Sequence, residues 1–146
     1  MNQYQHVEIL LVEDSAADAE MTLRTLKKRG IANSVEWVQD GVEALEYLFR
    51  EGKFADRTSG APKLVLLDLK MPRMDGLQVL ERMKADQRTR AIPVVMMTSS
   101  REEGDLITSY RLGVNSYVVK PVDFTDFAQM VTEVGMYWML SNQVPE

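Results

Sequence analysis

Residues 64–80 read LVLLDLKMPRMDGLQVL. The run Leu64-Val65-Leu66-Leu67 is apolar without a break, as a strand covered on both faces requires. Asp68 closes that run, and from about Gly76 to Ala85 the apolar residues Val79, Leu80 and Met83 return at helical spacing. One strand, one helix and a carboxylate at the strand's carboxyl end make a single α/β unit.

Working outward, the unit recurs on both sides. Further apolar runs stand at Ile9 to Val12, Val35 to Val38, Ile92 to Met97 and Tyr117 to Val119. The run from Val35 is broken by Glu36, which suits a sheet edge, and Pro93 fits only near the start of its strand because it donates no ladder hydrogen bond. Helical spacing fills the gaps. Ser15-Ala16-Ala17-Asp18 opens one helix with Ala19, Leu23 and Leu26 on one face, ending at Gly30. Asp40 opens the next with Leu45, Leu48 and Phe49, ending at Gly52. Two more are predicted over about Glu102 to Leu112 and from about Asp123 to about Ser141. Gly52 to Pro62, GKFADRTSGAP, has the Gly, Ser, Thr and Pro content of an exposed loop. Five alternations of strand and helix with right-handed crossovers predict a doubly wound α/β sandwich on a parallel sheet.

Composition agrees with one soluble domain. The 146 residues are 45% hydrophobic and 27% charged, with a net charge of -5, so no basic stripe speaks for nucleic acid. Without cysteine there is no disulfide and no thiolate metal site. The first apolar run is too short for a signal sequence or a membrane span, which makes the cytoplasm the expected location. His6, the single histidine, precedes the first strand and is not expected to bind metal.

Ligands of such a sheet bind beyond the carboxyl ends of its strands. Those ends carry Glu13-Asp14, Asp68, Thr98-Ser99 and Lys120-Pro121. Each residue alone has an ordinary reading: a turn former, a helix cap, a solvated lysine. Together, at four strand ends, they describe one site. Three carboxylates repel one another unless a cation joins them, and oxygen ligands point to a hard ion, magnesium. A carboxylate is also a nucleophile toward a phosphoryl group, whose oxygens Lys120 and Thr98 would then contact.

The segments ILLVEDSAADAE, LVLLDLKMPRMDGLQVL, IPVVMMTSS and GVNSYVVKPVD make the set recognisable. The chain resembles the receiver domains of two-component response regulators from about Val7 to Ser141. The expected division is a tail at 1–6, the receiver domain at 7–142 and a tail at 143–146. The resemblance implies a flavodoxin-like strand order 2-1-3-4-5 and a phosphoacceptor protein rather than an enzyme acting on other molecules, one that catalyses its own phosphorylation and slow autodephosphorylation. Asp68 would accept the phosphoryl group from a histidine kinase. Asp14 would ligate Mg2+ directly, Glu13 through water, and Lys70 through its backbone carbonyl. Thr98 and Tyr117 would switch position together, Lys120 would hold the phosphoryl oxygens, and the bond to Pro121 would be cis.

Within that family the long loop, YRLGVNSYVVKPVDFTDF and the Tyr137-Trp138 pair resemble the small regulators that serve cyanobacterial and bacterial phytochromes. Lys70 stands where that subgroup commonly has Asn, and Glu13 where Asp is commoner. Lys70 and Ser100 are therefore expected to govern the approach of water to the phosphoryl group. On the last helix, Phe127, Val131, Val134 and Trp138 share the core side, while Met130, Met136, Tyr137 and Leu140 fall outside it. That surplus predicts a self-association surface, which agrees with the dimers of the phytochrome-linked regulators. A flavin or nucleotide protein is disfavoured because EDSAAD is acidic where a phosphate cradle would lie. A docking module that is never phosphorylated is disfavoured because every acceptor-site residue type is present. A transcription regulator in its own right is disfavoured, since no residues are expected to remain for a DNA-binding domain. The kinase, its input and the downstream partner are not written in the sequence.

Overall fold

The computed structural model describes residues 7–32 and 34–143. His6 and the N-terminal tail therefore lie outside the described residues. Five parallel strands, β1 (Ile9–Val12), β2 (Val35–Val38), β3 (Leu64–Leu67), β4 (Val94–Thr98) and β5 (Ser116–Val119), form one sheet in the order β2-β1-β3-β4-β5. Helices α1 (Ala16–Lys28), α2 (Gly41–Phe49), α3 (Gly76–Ala85), α4 (Glu103–Arg111) and α5 (Phe124–Met136) alternate with them. This is the flavodoxin-like arrangement expected.

The sheet separates two apolar cores. One joins Leu10, Val12, Val65 and Leu67 to Leu45 and Leu48 of α2 and Val79, Leu80 and Met83 of α3. The other joins Ile9, Leu11, Leu64 and Leu66 to Ala19 and Leu26 of α1 and Phe127 and Val131 of α5. Alternate residues of β1 and β3 thus enter opposite cores, which is why both strands are apolar throughout. β2 at the edge is only half-covered, as Glu36 foretold. β4 begins at Val94 rather than Ile92, because Pro93 cannot join the ladder as a donor.

Side-chain caps fix four helix starts. Ser15 Oγ accepts from Asp18 N (3.2 Å), Asp40 Oδ1 from Glu43 N (2.9 Å) and Asp123 Oδ2 from Asp126 N (3.0 Å). Asp75 and Gln78 form a reciprocal capping box. α4 has no side-chain cap.

Two expectations are corrected. The Lys120–Pro121 bond is trans, as are all peptide bonds of the described residues. Trans is the intrinsic preference of an X–Pro bond by about 0.5–1 kcal/mol, and Lys120 reaches the site without leaving it. Met130 is 8% exposed and belongs to the α1–α5 core, so it is no surface residue. α5 packs beside α1 as well as on the sheet, which buries a wider face than one stripe. The 52–62 loop is largely exposed, as expected, with Ser59 and Pro62 buried. It opens with a 3-10 turn (Gly52–Phe54), and Arg57 staples it by donating to Tyr47 O, Ser59 O and Gly60 O. The chain of α5 continues through a π-helical turn (Tyr137–Ser141).

Candidate functional site

Register brings the strand ends together. Val12 lies beside Leu67, and Thr98 beside Val119, so the residues that follow share one rim. Asp68 N donates to Val12 O (2.9 Å) and Lys120 N to Thr98 O (2.8 Å), which carries the ladder one residue further at both places. Glu13 is anchored twice, its N donating to Val38 O (3.0 Å) and its O accepting from Trp37 Nε1 (2.8 Å).

Three carboxylates converge as expected. Glu13, Asp14 and Asp68 each offer an oxygen, and these oxygens lie within 4.8 Å of one another. Glu13 and Asp68 are buried, while Asp14 is exposed. Lys120 enters from the far strand. Its Nζ lies 2.6 Å from Glu13 Oε1, 2.9 Å from Asp18 Oδ2 and 3.3 Å from Asp68 Oδ2. The second oxygens of Glu13 and Asp68 are held by backbone, Glu13 Oε2 by Ser15 N (3.1 Å) and Asp68 Oδ1 by Leu69 N (2.7 Å).

Electrostatically the rim is short of positive charge. The Lys120 ammonium pairs with Glu13, Asp18 and Asp68, and Asp14 adds a further carboxylate beside Glu13 and Asp68. Burial above all, and then Asp68, push the Glu13 carboxyl up to about 8, with Lys120 opposing. Burial alone would lower Lys120, but Asp68 and Glu13 outweigh it and hold the ammonium above its ordinary value. An all-oxygen donor set with excess negative charge fits a hard divalent cation.

The hydroxyl side lies next to it. Thr98 is fully buried, and its Oγ1 accepts from Ser100 N (3.1 Å). Tyr117, half-buried, donates its hydroxyl to Ser100 O (3.1 Å). Thr98 and Tyr117 thus meet on the same residue. The Lys70 side chain is turned to α4, with Nζ 3.4 Å from Asp105 Oδ2.

The loop from Asp68 to Asp75 is tightly placed. A Cβ on Gly76 would collide with the backbone carbonyl of Asp68, so only glycine lets α3 start against the strand end. Arg73, with a left-handed backbone (φ 64°), grips Asp40 Oδ2 through Nε (2.9 Å) and Nη2 (2.8 Å). Burial opposes ionisation of Asp40, yet the Glu43 amide and Arg73 prevail and hold its carboxyl below the usual range.

Sequence reading passed over Asp18, Trp37, Arg73 and Asp105. Asp18 reads as the first-turn acid of α1, and nothing local points it toward Lys120. Trp37 and Arg73 depend on crossings between distant segments, as does the reach of Asp105 to Lys70. Met136, Tyr137 and Leu140 are exposed as expected, at 48%, 53% and 66%.

Residues 9–132 match the response regulator receiver domain. The chain belongs to that family. It is 42% identical over 138 residues to the probable methanogenesis regulatory protein FilR2 of Methanothrix harundinacea, covering 94% of this chain and 86% of that protein. It is 37% identical over 137 residues to the response regulator Rcp1 of Synechocystis, covering 94% and 92%; the Mn2+-bound structure of Rcp1 superposes with a TM-score of 0.89. The phosphorylated cyanobacterial phytochrome response regulator RcpA superposes with a TM-score of 0.90 at 36% identity, covering 97% of this receiver and 100% of that chain. This receiver is therefore a relative of phytochrome response regulators, and no described helix is long and apolar enough to cross a membrane.

Proposed function

We propose that this receiver accepts a phosphoryl group on Asp68 from the phosphohistidine of a partner kinase of the phytochrome type and passes the signal on through its surface. The observation that carries the reading is the Asp68 carboxylate, buried at the end of β3 with Lys120 Nζ 3.3 Å from one oxygen and Glu13 and Asp14 beside it. A carboxylate oxygen of Asp68 attacks phosphorus, the bond to the kinase's imidazole nitrogen breaks, and its electron pair leaves with the imidazole. Lys120, held by Glu13 and Asp18, offsets charge on a phosphoryl oxygen. Thr98 Oγ1 already accepts from Ser100, so its own proton is what it can offer a second oxygen. Glu13, Asp14, Asp68 and the carbonyl of Lys70 would hold Mg2+, which supplies charge neutralisation for phosphoryl transfer. Thr98 and Tyr117 change position together on phosphorylation, since both are bonded to Ser100. The same group is slowly lost to water in an autodephosphorylation.

The resemblance to RcpA supports a phytochrome input, the receiver family supports a cytoplasmic location, and the exposed Met136, Tyr137 and Leu140 at the end of α5 support a homodimer. Sedimentation at micromolar concentration tests the dimer, and a monomer with and without phosphorylation ends that part. For the acceptor, the protein is incubated with acetyl phosphate and Mg2+ and weighed intact. One added phosphoryl group on wild type and none on Asp68→Asn is expected; equal labelling of both overturns the assignment.

A further inference from the structure

Beside the acid cluster the rim carries a second polar knot, centred on Asp105 in the first turn of α4. Its Oδ2 accepts the hydroxyl of Ser100 at 2.6 Å and lies 3.4 Å from the ammonium of Lys70. Ser100 Oγ also accepts from Glu102 N (3.3 Å). An acid in a first helical turn ordinarily serves its own helix. Here the carboxylate reaches outward instead, to the segment after β4 and to the segment after β3. Its side chain is 14% exposed, whereas that of Lys70 is 60% exposed, so a well-placed anion holds a long, exposed cation.

Lys70 follows Asp68 by two residues, which puts their Cα atoms within about 7 Å, and its stem has four carbons. The same ammonium can therefore serve Asp105 or a phosphoryl group on Asp68, but it is a single charge. We propose that Asp105 is a positioning residue that draws Lys70 away from the phosphorylated site and thereby sets how fast the phosphoryl group is hydrolysed. This rests on the reading of Asp68 as acceptor. In hydrolysis a water oxygen attacks phosphorus, the bond to the Asp68 oxygen breaks, its electron pair returns to the carboxylate, and the water's proton passes to solvent as phosphate departs. Lys70 laid over the phosphoryl oxygens stands in the path of that water. Asp105 keeps it out of the path for part of the time. The two anions compete, so phosphorylation must loosen the Lys70–Asp105 pair by the same factor by which Asp105 weakens the hold of Lys70 on the phosphoryl group.

The test is the half-life of the phosphorylated full chain, made with acetyl phosphate, desalted into Mg2+ buffer and followed by intact mass. Asp105→Asn keeps an acceptor for Ser100 but drops the charge, and it is expected to lengthen the half-life on the order of two- to five-fold, the range of an exposed ion pair. Asp105→Glu returns it toward wild type, and added salt shrinks the difference. Lys70→Met shortens the half-life, and Asp105→Asn added to it has no further effect. An unchanged half-life in either single variant overturns the proposal, as does equal lengthening by Asp105→Asn with and without Lys70. Wild type that gains no phosphoryl mass at all withdraws the receiver reading together with this inference, and is distinguished by that.

Discussion

α3 and α4 leave the same rim from neighbouring strands, yet they are held in opposite ways. α3 starts on a capping box, presses Gly76 against the Asp68 carbonyl and sinks Val79, Leu80 and Met83 completely into the core. α4 lacks a side-chain cap, and Ser109 is its one buried residue, with a hydroxyl that finds no partner among the described residues. Leu106, Ile107 and Tyr110 of α4 face solvent. On the proposed function, the Asp68 side of the rim is the part that stays fixed and the α4 side the part free to respond, and a site that presents Asp68 in one geometry and reports its state needs both.

Core truncation separates the two most sharply. Leu80→Ala removes a fully buried side chain and should cost about 2–5 kcal/mol in denaturant unfolding. Ile107→Ala in α4 should stay within about 0.5 kcal/mol. Similar losses from the two would erase the distinction. Glycine replacement sharpens it further, because the sign changes. Gly76→Ala should destabilise by about 1–3 kcal/mol through collision with the Asp68 backbone. Gly104→Ala has open space around the new methyl group and should stabilise α4 by about 0.5–1 kcal/mol.

A smaller effect tests the tie between Arg73 and Asp40 that steadies the loop before α3. The folded carboxyl of Asp40 titrates below its ordinary value of 3.8. Its contribution is therefore complete above that value and disappears as pH falls through the lower, folded one. Asp40→Asn keeps a good helix cap but loses the ionic part. Discounted for the exposure of Arg73, the loss is on the order of 0.5 kcal/mol near neutrality. Unfolding free energy followed from about pH 5 to about pH 3 should fall less steeply in the variant than in wild type. Parallel curves would remove the ion pair from the account.

Most of this architecture was legible in the chain because burial on two faces leaves no choice of residue in β1, β3 and β4. Three helix starts were equally legible, since Ser15, Asp40 and Asp123 each announce a cap by their chemistry. Glu13, Asp14, Asp68, Thr98 and Lys120 could be gathered from sequence because parallel strands in register bring their carboxyl ends to one rim. Asp18 and Asp105 could not. A first-turn acid is ordinarily explained by the helix it begins, and nothing local tells that Asp18 reaches a lysine 102 residues away. Met130 escaped for a related reason: a helical wheel assumes one buried face, and α5 rests on both the sheet and α1. The cis bond before Pro121 was carried over by resemblance, with no residue contact behind it, and it did not survive.

The central claim is that one carboxylate at the end of β3 receives the phosphoryl group, and only with a hard cation present. Phosphorylated protein reduced with borohydride converts an aspartyl phosphate to homoserine, which peptide mass mapping locates. Homoserine at position 68, formed with Mg2+ and absent when the metal is chelated, is the predicted result. Homoserine at another position, or at 68 to the same extent without metal, would contradict the account.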